Sequence, residues 1–504
     1  MISRFLSRLV AMRGLRADFA ALGLGALSAA ALPPVHAIPV LLVSVPGLLA
    51  LLDGARGPAV AARRGWWFGF GHHLLGLYWI TEAILYEADR FWWLVPFAVP
   101  ATAAGLAAFI AAACAIARLA RPGWPRVLAL AGAWVLADLA RQFVLTGFPW
   151  NPWGSVWEIP GTIGDVFIQP AAWVGVDGLT LATMLLAATP ALGWRWRIGG
   201  GAALAAWAAL GLIRLHKPMP PPTSLTVVLV QGNVPQGQKW SQDLAVQIFR
   251  HYLTLTEQGR ARAGTGPFVA IWPETAFPGL LQIDERARQA IQQETGDAPS
   301  LIGSVRFDDQ RRPRNSLVAL TDSGTIAAIY DKWHLVPFGE YIPDWLPLPL
   351  MVVPGGGFAS GPGPQTLHVP GLPPVGALIC YEAIFSGQIV DRNDRPDWLV
   401  NVTNDAWFGN STGPRQHLAA ARMRAVEEGL PLMRAANTGI SAAFDARGHE
   451  LGRLGMQQTD TLAVTLPGAL PATLFARFGL WIPAMSVTVA LGVGLMARRF
   501  ALPG

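Results

Sequence analysis

The sequence predicts a bundle of membrane helices joined to a water-exposed α/β domain. Of the 504 residues, 52% are hydrophobic and 14% are charged, whereas soluble domains carry about 25% charged residues. Long apolar runs lie in residues 1–217 and 477–504. Residues 218–476 instead alternate short β-rich runs with amphipathic stretches, which is typical of a sheet covered on its faces. These three observations define the fold class, α/β plus membrane α-helical.

Eight segments have the composition of membrane-spanning helices, which need about 20 mostly apolar residues. They are residues 18–33, 36–52, 66–85, 92–117, 127–146, 165–193, 197–214 and 477–497. The first two are short and are separated by Pro33-Pro34. We therefore expect them to form a helical hairpin, either spanning or re-entrant. The basic N-terminus precedes a series of further spans, so we interpret the first helix as retained rather than as a cleaved signal peptide.

Arginine is distributed asymmetrically around these spans. With eight spans, 14 arginines fall on one side and five Lys/Arg residues on the other. The 14 are Arg4, Arg8, Arg13, Arg16, Arg56, Arg63, Arg64, Arg118, Arg121, Arg126, Arg195, Arg197, Arg498 and Arg499. Cytoplasmic loops carry the excess of basic residues. The sequence therefore predicts that both termini are cytoplasmic and that residues 218–476 lie outside the cytoplasm.

The central region reads as one α/β domain that follows the Pro-rich linker PMPPPTS. Predicted strands are residues 225–231, 267–272, 300–305, 315–320, 325–330, 375–380 and 397–403, and predicted helices are 241–259, 283–295 and 414–430. This region has 19 Lys/Arg against 23 Asp/Glu, so the overall net charge of +6 does not indicate nucleic-acid binding. The predicted boundaries are a helical bundle at 1–217, this domain at 218–476 and a last helix with a short tail at 477–504.

Three strand ends of the central domain carry reactive groups. The chain has two cysteines, and Cys114 lies in a predicted span, so Cys380 has no disulfide partner within its domain. Cys380 ends a predicted strand, Glu274 follows another, and Lys332 follows a third. Open α/β sheets present their sites at such ends. A cysteine nucleophile needs a base or a nearby positive charge, and Glu274 and Lys332 are candidates for such groups. Considered singly, a buried cysteine or a solvated strand-end charge remains an alternative interpretation.

The chain order Glu274, Lys332, Cys380 resembles the triad of the nitrilase superfamily. Longer motifs narrow the resemblance to the apolipoprotein N-acyltransferase family: QGNVPQ (231–236), WPETAFP (272–278), DKWHLVPFGEYIP (331–343), CYE (380–382) and NVTNDAWFG (401–409). With the flanking membrane helices, the resemblance covers nearly the whole chain.

The resemblance implies an αββα sandwich inserted into about eight membrane helices. It implies that an acyl chain moves from a glycerophospholipid, through a Cys380 thioester, to the α-amino group of the N-terminal S-diacylglyceryl-cysteine of apolipoproteins. It places the catalytic domain on the periplasmic side of the bacterial inner membrane, with no cofactor or metal. We expect a monomer, because nothing in the sequence requires an oligomer. Supporting residues are expected at Trp240, Asn315, Glu340, Tyr381 and Glu382, where structural hydrogen bonding or packing is the alternative.

Two other functions fit parts of the sequence. A nitrilase-type amidohydrolase tethered to the membrane would share the triad, although a tether needs one span rather than eight. A transporter with an accessory domain would need ionisable residues and broken helices at matched positions of the bundle, and the few acidic residues in the spans form no such pattern.

Overall fold

The structure is a computed structural model that describes residues 2–86, 88–239, 241–296, 298–342 and 357–497. Its α-helices, in chain order, are α1 (Ile2–Ala11), α2 (Gly14–Ala29), α3 (Leu41–Asp53), α4 (Pro58–Gly76), α5 (Ile80–Leu85), α6 (Ala88–Phe91), α7 (Val95–Arg118), α8 (Trp124–Ala140), α9 (Thr162–Ile168), α10 (Ala171–Leu192), α11 (Trp194–His216), α12 (Gln236–Lys239), α13 (Ala245–Ala263), α14 (Glu285–Thr295), α15 (Gly413–Glu428), α16 (Leu474–Phe478) and α17 (Trp481–Met496).

Each of the eight predicted spans overlaps an α-helix. Among the described residues, three helical segments are long and apolar enough to cross a membrane: Trp92–Arg118, Ala171–Leu192 and Trp194–His216. Two shorter apolar helices are Ile38–Asp53 and Trp481–Met496. The helical character of these regions is confirmed, and the number of spans stays a prediction.

The predicted continuous span at 165–193 is wrong in detail, because the chain forms two helices there. Helix α9 ends at Ile168, and Pro170 directly precedes α10. Proline has no backbone N–H and cannot continue an α-helical hydrogen-bond ladder. Gly175 then adopts φ +67°, outside the helical range, within the first turns of α10.

Contacts divide the chain into two compact units. The helical unit comprises the described parts of residues 1–217, 411–419 and 478–504, and the sheet unit comprises those of 218–410 and 420–477. The short segment 411–419 joins the helical unit through Gln416. Its amide oxygen accepts the indole N–H of Trp79 at 3.1 Å and of Trp150 at 2.8 Å. Its amide nitrogen donates to the Pro33 carbonyl at 3.2 Å.

Two six-stranded sheets form the sheet unit. The strands are β1 (Thr226–Gln231), β2 (Phe268–Trp272), β3 (Ser300–Phe307), β4 (Pro313–Leu320), β5 (Ile326–Asp331), β6 (Thr366–Leu367), β7 (Val375–Ile379), β8 (Trp398–Thr403), β9 (Leu432–Ala436), β10 (Ser441–Phe444), β11 (Glu450–Leu454) and β12 (Asp460–Thr465). The strand orders are β12-β1-β2-β3-β4-β5 and β11-β10-β9-β8-β7-β6. Each sheet has three central parallel strands, β1-β2-β3 and β7-β8-β9, flanked by antiparallel ones.

The central strands are buried on both faces. In β1, Val227 and Leu229 pack into a core shared with the second sheet, which contributes Ile379 and Val400 among others. The alternate residue Val228 packs on the opposite face against α13 and α14. Side chains alternate between the faces of a strand, so a strand covered on both sides must be apolar throughout. This explains why the sequences of these strands are continuous apolar runs.

All seven predicted strands are present, with ends shifted by at most two residues. The sequence missed β6 and the four strands from β9 to β12. The short strand β10 has the sequence SAAF, and β11 has ELGRL, neither of which is rich in β-branched residues. The sheet unit is therefore larger in strand content than predicted.

Candidate active site

Three ends of parallel or edge strands deliver the reactive groups that the sequence singled out. Glu274 lies two residues beyond β2, Lys332 directly follows β5, and Cys380 directly follows β7. All three side chains are buried. The two sheets pack face to face, so the ends of β2 and β5 from one sheet and of β7 from the other meet around one small volume.

Glu274 is the most heavily bonded of the three. Its Oε1 accepts from Asn315 Nδ2 at 2.7 Å and from Lys332 Nζ at 3.3 Å. Its Oε2 accepts the main-chain N–H of Asn404 at 2.8 Å, and the Cys380 thiol also hydrogen-bonds to the carboxylate. Burial alone would raise the pKa of Glu274, but the neighbouring cations and these hydrogen bonds outweigh it and lower the pKa. Glu274 is therefore a carboxylate at neutral pH.

Lys332 is held by two carboxylates. Its Nζ lies 2.9 Å from the carboxylate of Glu340 and 3.3 Å from that of Glu274. Burial would lower the pKa of Lys332, but the two glutamates raise it above its usual value. Asn315 Nδ2 donates to both glutamates, reaching Glu340 Oε1 at 3.0 Å. The ammonium is thus charged and has a fixed direction.

Cys380 is a protonated thiol in a strained backbone position. Its φ of +51° is in the left-handed region, which non-glycine residues seldom adopt and which is concentrated at functional sites. Burial raises the pKa of the thiol, the negative charges of Glu274 and Asp405 raise it further, and Lys332 opposes them. A thiol in this setting loses its proton as it reacts, and the hydrogen-bonded Glu274 is the group placed to accept that proton.

Glu382 connects the chain segments that carry Lys332 and Cys380. Its carboxylate accepts the main-chain N–H of Trp333 at 2.7 Å and of Ile379 at 2.6 Å. These two residues directly follow Lys332 and directly precede Cys380. No described contact joins Glu382 to the Lys332 ammonium itself. Glu382 therefore fixes the spacing of two strand ends.

Glu382 is also deeply buried, and this shifts its protonation. It accepts hydrogen bonds from the Tyr330 hydroxyl at 2.9 Å as well as from main-chain groups. Burial raises the pKa of Glu382 to about 7, and the hydrogen bonds offset only part of that effect.

The remaining predicted supporting residues have different positions. Asn315, on β4, contacts Glu274 and Glu340 as described. Tyr381 is buried beside the nucleophile, with its ring edge-on to Phe385 at a centroid distance of 5.3 Å. Trp240 lies outside the described residues, as do Arg498 and Arg499.

Sequence reasoning missed a chain of side-chain amides behind Glu274. Asn404, whose N–H binds Glu274, donates through Nδ2 to Gln236 Oε1 at 2.6 Å. Asn437 Nδ2 donates to Asn404 Oδ1 at 3.0 Å and to the Val234 carbonyl at 2.8 Å. Gln236 and Asn404 lie in the motifs QGNVPQ and NVTNDAWFG, so the signal was present, but a lone amide side chain does not indicate its partner.

Lys239 is a second buried lysine at the site that the sequence analysis did not single out. It ends α12, and its Nζ donates to the main-chain carbonyl of Glu274 at 2.8 Å. The site therefore combines a thiol, a carboxylate positioned to deprotonate it, and two ammonium groups. This set is suited to nucleophilic attack on a carbonyl carbon and to stabilising the oxyanion that forms.

Comparison with known families matches both parts of the chain. Residues 24–189 match the model of the apolipoprotein N-acyltransferase N-terminal domain, and residues 269–470 match carbon-nitrogen hydrolase. The apolipoprotein N-acyltransferase of Rhodopseudomonas palustris is 38% identical, covering 100% of this chain and 99% of the relative. That of Bradyrhizobium diazoefficiens is 40% identical, covering 96% and 95%.

Solved structures match about half of the chain at low identity. A CN-hydrolase superfamily protein from Xanthomonas campestris is 20% identical, covering 52% of this chain and 96% of that one, with a TM-score of 0.37. A branch 10 member of the nitrilase superfamily from Saccharomyces cerevisiae is 14% identical, covering 50% and 92%, with a TM-score of 0.37.

Proposed function

The chain belongs to the apolipoprotein N-acyltransferase family, and we propose that it transfers an acyl chain from a glycerophospholipid to the α-amino group of the N-terminal S-diacylglyceryl-cysteine of apolipoproteins. Named relatives that align over its full length support this function. One structural observation carries the chemistry: the Cys380 thiol is hydrogen-bonded to an ionised glutamate that also contacts Lys332. The proposed catalytic residues are Glu274, Lys332 and Cys380.

In the first half-reaction, the phospholipid acylates Cys380. Glu274 takes the thiol proton as sulfur attacks the ester carbonyl, and a C–S bond forms. The Lys332 ammonium stabilises the oxyanion of the tetrahedral intermediate. The carbon–oxygen ester bond then breaks, and Glu274 returns the proton to the departing lysophospholipid alkoxide. The products are a thioester on Cys380 and a neutral lysophospholipid, and Glu274 is again an ionised carboxylate.

In the second half-reaction, the amine of the modified apolipoprotein attacks the thioester carbonyl. Glu274 accepts a proton from the attacking nitrogen, and Lys332 again stabilises the oxyanion. The C–S bond breaks, the sulfur recovers the proton from Glu274, and an amide is released. A thioester suits this sequence because amines attack it readily and the amide product is stable. The lysophospholipid leaves before the amine attacks the acyl-enzyme, so the proposed kinetics are ping-pong.

The setting of the site favours a general base over a preformed thiolate. Because burial and two acidic neighbours raise the pKa of Cys380, a free thiolate is scarce at neutral pH. Glu274 is ionised under the same conditions, and it is already hydrogen-bonded to the thiol. Glu340, by sharing the Lys332 ammonium, keeps that cation pointed at the site without pairing it fully to the base.

The membrane arrangement is part of the proposal. Eight spans across the bacterial inner membrane, with cytoplasmic termini, would place residues 218–476 on the periplasmic side, between a bundle at 1–217 and a last helix at 477–504. The arginine distribution supports this orientation, and the apolar helices support the location in a membrane. Both proposed substrates are lipids of the bilayer. A bundle of several spans could bind them, whereas a domain that is only tethered to the membrane would need a single span. The protein is proposed to act as a monomer without a cofactor.

One assay separates this function from a membrane-tethered amidohydrolase. The purified protein in detergent receives a phospholipid with a labelled acyl chain and a peptide that begins with S-diacylglyceryl-cysteine. The acyltransferase moves label into the peptide as an amide, and the transfer stops when the peptide's α-amino group is acetylated. Release of the label only as free fatty acid, with the peptide unmodified, would refute the proposal.

A further inference from the structure

Lysine is scarce in this protein, and its positions are informative. The chain has 35 arginines and three lysines, Lys217, Lys239 and Lys332. Two of these three lysines are buried at the candidate active site. Where only a positive charge is needed, this chain uses arginine. A compact ammonium on a flexible stem differs from the planar, five-donor guanidinium, so a buried lysine here indicates a position where the ammonium shape matters.

Lys239 and its helix α12 contact Glu274 directly through its main chain and indirectly through its carboxylate. The Lys239 ammonium donates to the main-chain carbonyl of Glu274 at 2.8 Å. On the same short helix, Gln236 Oε1 accepts from the side chain of Asn404 at 2.6 Å. The main-chain N–H of Asn404 in turn binds the Glu274 carboxylate at 2.8 Å. Helix α12 therefore supports both the backbone and the carboxylate of this one residue.

The charge of Lys239 acts on the same carboxylate. Among the interactions that lower the pKa of Glu274, the Lys239 charge ranks second, after that of Lys332. Burial lowers the pKa of Lys239 itself to about 8, against the opposing effects of Glu274 and Cys380. At neutral pH the larger fraction of Lys239 is therefore protonated.

We propose that Lys239 is a positioning residue, which keeps Glu274 ionised and its main chain fixed while the Cys380 thiol loses its proton. The inference deepens the proposed function and rests on its assignment of Glu274 as the base for Cys380, but not on the identity of the acyl donor. Lys332 is already shared with Glu340, so one cation alone is not fully available to Glu274. The Lys239 ammonium adds a second positive charge, which compensates for the burial that would otherwise protonate the base.

Several other charged groups face this pair and must be held constant in a test. Among the described residues of the sheet unit, the titratable or charged groups around Glu274 and Cys380 include, besides Lys239, Lys332, Glu340, Tyr381, Glu382 and Asp405. None of them is altered by a substitution at position 239, so a changed pH dependence reports on the missing ammonium.

The test is the pH dependence of Cys380 alkylation by iodoacetamide in the full-length protein in detergent. Mass spectrometry of the peptide that carries Cys380 measures the rate, so no phospholipid is needed. Lys239→Met removes the charge and the hydrogen bond, and Lys239→Gln removes the charge but keeps a donor. Lys217→Met, at an exposed position, is the matched control. If Lys239→Met does not fold, the pH profile of Lys239→Gln alone tests the proposal.

Loss of the Lys239 cation raises the pKa of Glu274, and protonation of Glu274 sets the acid limb of the reactivity profile because Glu274 deprotonates the thiol. We expect the acid limb of the reactivity profile to move upward by about one pH unit in both Lys239 variants, and not to move in Lys217→Met. A purely structural role would lower the rate by the same factor at every pH. Such a uniform loss, or an unshifted profile, would overturn the proposal. If phospholipid does not label the unmodified protein, the proposed acyl donor is wrong. The pH dependence of alkylation would still test the role of Lys239.

Discussion

The ammonium of Lys332 lies 2.9 Å from the carboxylate of Glu340. That distance is shorter than the 3.3 Å between Lys332 and Glu274. Glu340 therefore takes the larger share of a cation that would otherwise pair with the base. Since full pairing would depress the basicity of Glu274 further, this shared contact leaves Glu274 ionised and still able to accept the thiol proton.

Substitution of Glu340→Gln should slow acylation of Cys380. The neutral amide releases Lys332 toward Glu274, which lowers the pKa of Glu274 and makes it a weaker base. We expect the single-turnover rate of acyl-enzyme formation to fall at least about tenfold, equivalent to about 1.4 kcal/mol. The exposed Glu257→Gln on α13 is the control. An unchanged rate in Glu340→Gln would show that Lys332 does not depend on its second carboxylate.

Glu382→Gln should alter how stability depends on pH. The pKa of Glu382 is raised by burial to about 7, above its value of about 4.3 in an unfolded chain. The folded state therefore binds the proton more tightly, and this stabilisation is complete below about pH 4.3 and is lost as pH rises through about 7. Thermal unfolding between these pH values should show a downward slope in the unmodified protein that is shallower in Glu382→Gln. Parallel slopes would mean that Glu382 stays ionised throughout.

Gln416→Ala should destabilise the helical unit. The amide oxygen of Gln416 accepts two indole N–H groups, from Trp79 and Trp150. Removing a buried partner costs about 1–3 kcal/mol for each group that loses its hydrogen bond. We expect a lower unfolding temperature in detergent than for Gln310→Ala, an exposed substitution on the β3–β4 hairpin. Equal unfolding temperatures for the two variants would show that the hydrogen bonds of Gln416 do not stabilise the helical unit.

The proposed orientation has a direct chemical test. In a variant with both native cysteines replaced, single cysteines are introduced by Val60→Cys or Gln310→Cys, both at exposed positions. A membrane-impermeant maleimide added to spheroplasts should label the protein at position 310 and not at position 60. The reverse pattern would invert the topology.

Much of the site could be predicted from sequence because its groups follow strand ends. Apolar strand runs located Glu274, Lys332 and Cys380, since a strand buried on both faces is easily recognised. The contacts of Glu340 required the structure, because the segment between Lys332 and Glu340 is irregular and its spacing predicts no contact. Sequence also could not distinguish a Glu382 that touches Lys332 from one that binds the main chain of its neighbours.

The parts that sequence missed depend on long-range packing. Strands β9 to β12 are short or small-residue-rich, and β12 pairs with β1, which lies at the start of the domain. Likewise, Gln416 and Lys239 are single polar residues, and their roles depend on buried hydrogen-bond partners that are distant in sequence. Lysine scarcity was visible in the composition and could have singled out Lys239.

The identity of the covalent intermediate tests the proposed thioester mechanism directly. The protein is incubated with phospholipid alone, quenched, digested and examined by mass spectrometry. We expect an acyl group on the peptide that carries Cys380, released by neutral hydroxylamine and absent in Cys380→Ala. An acyl group retained by Cys380→Ala, or attached to a different residue of the unmodified protein, would contradict this mechanism.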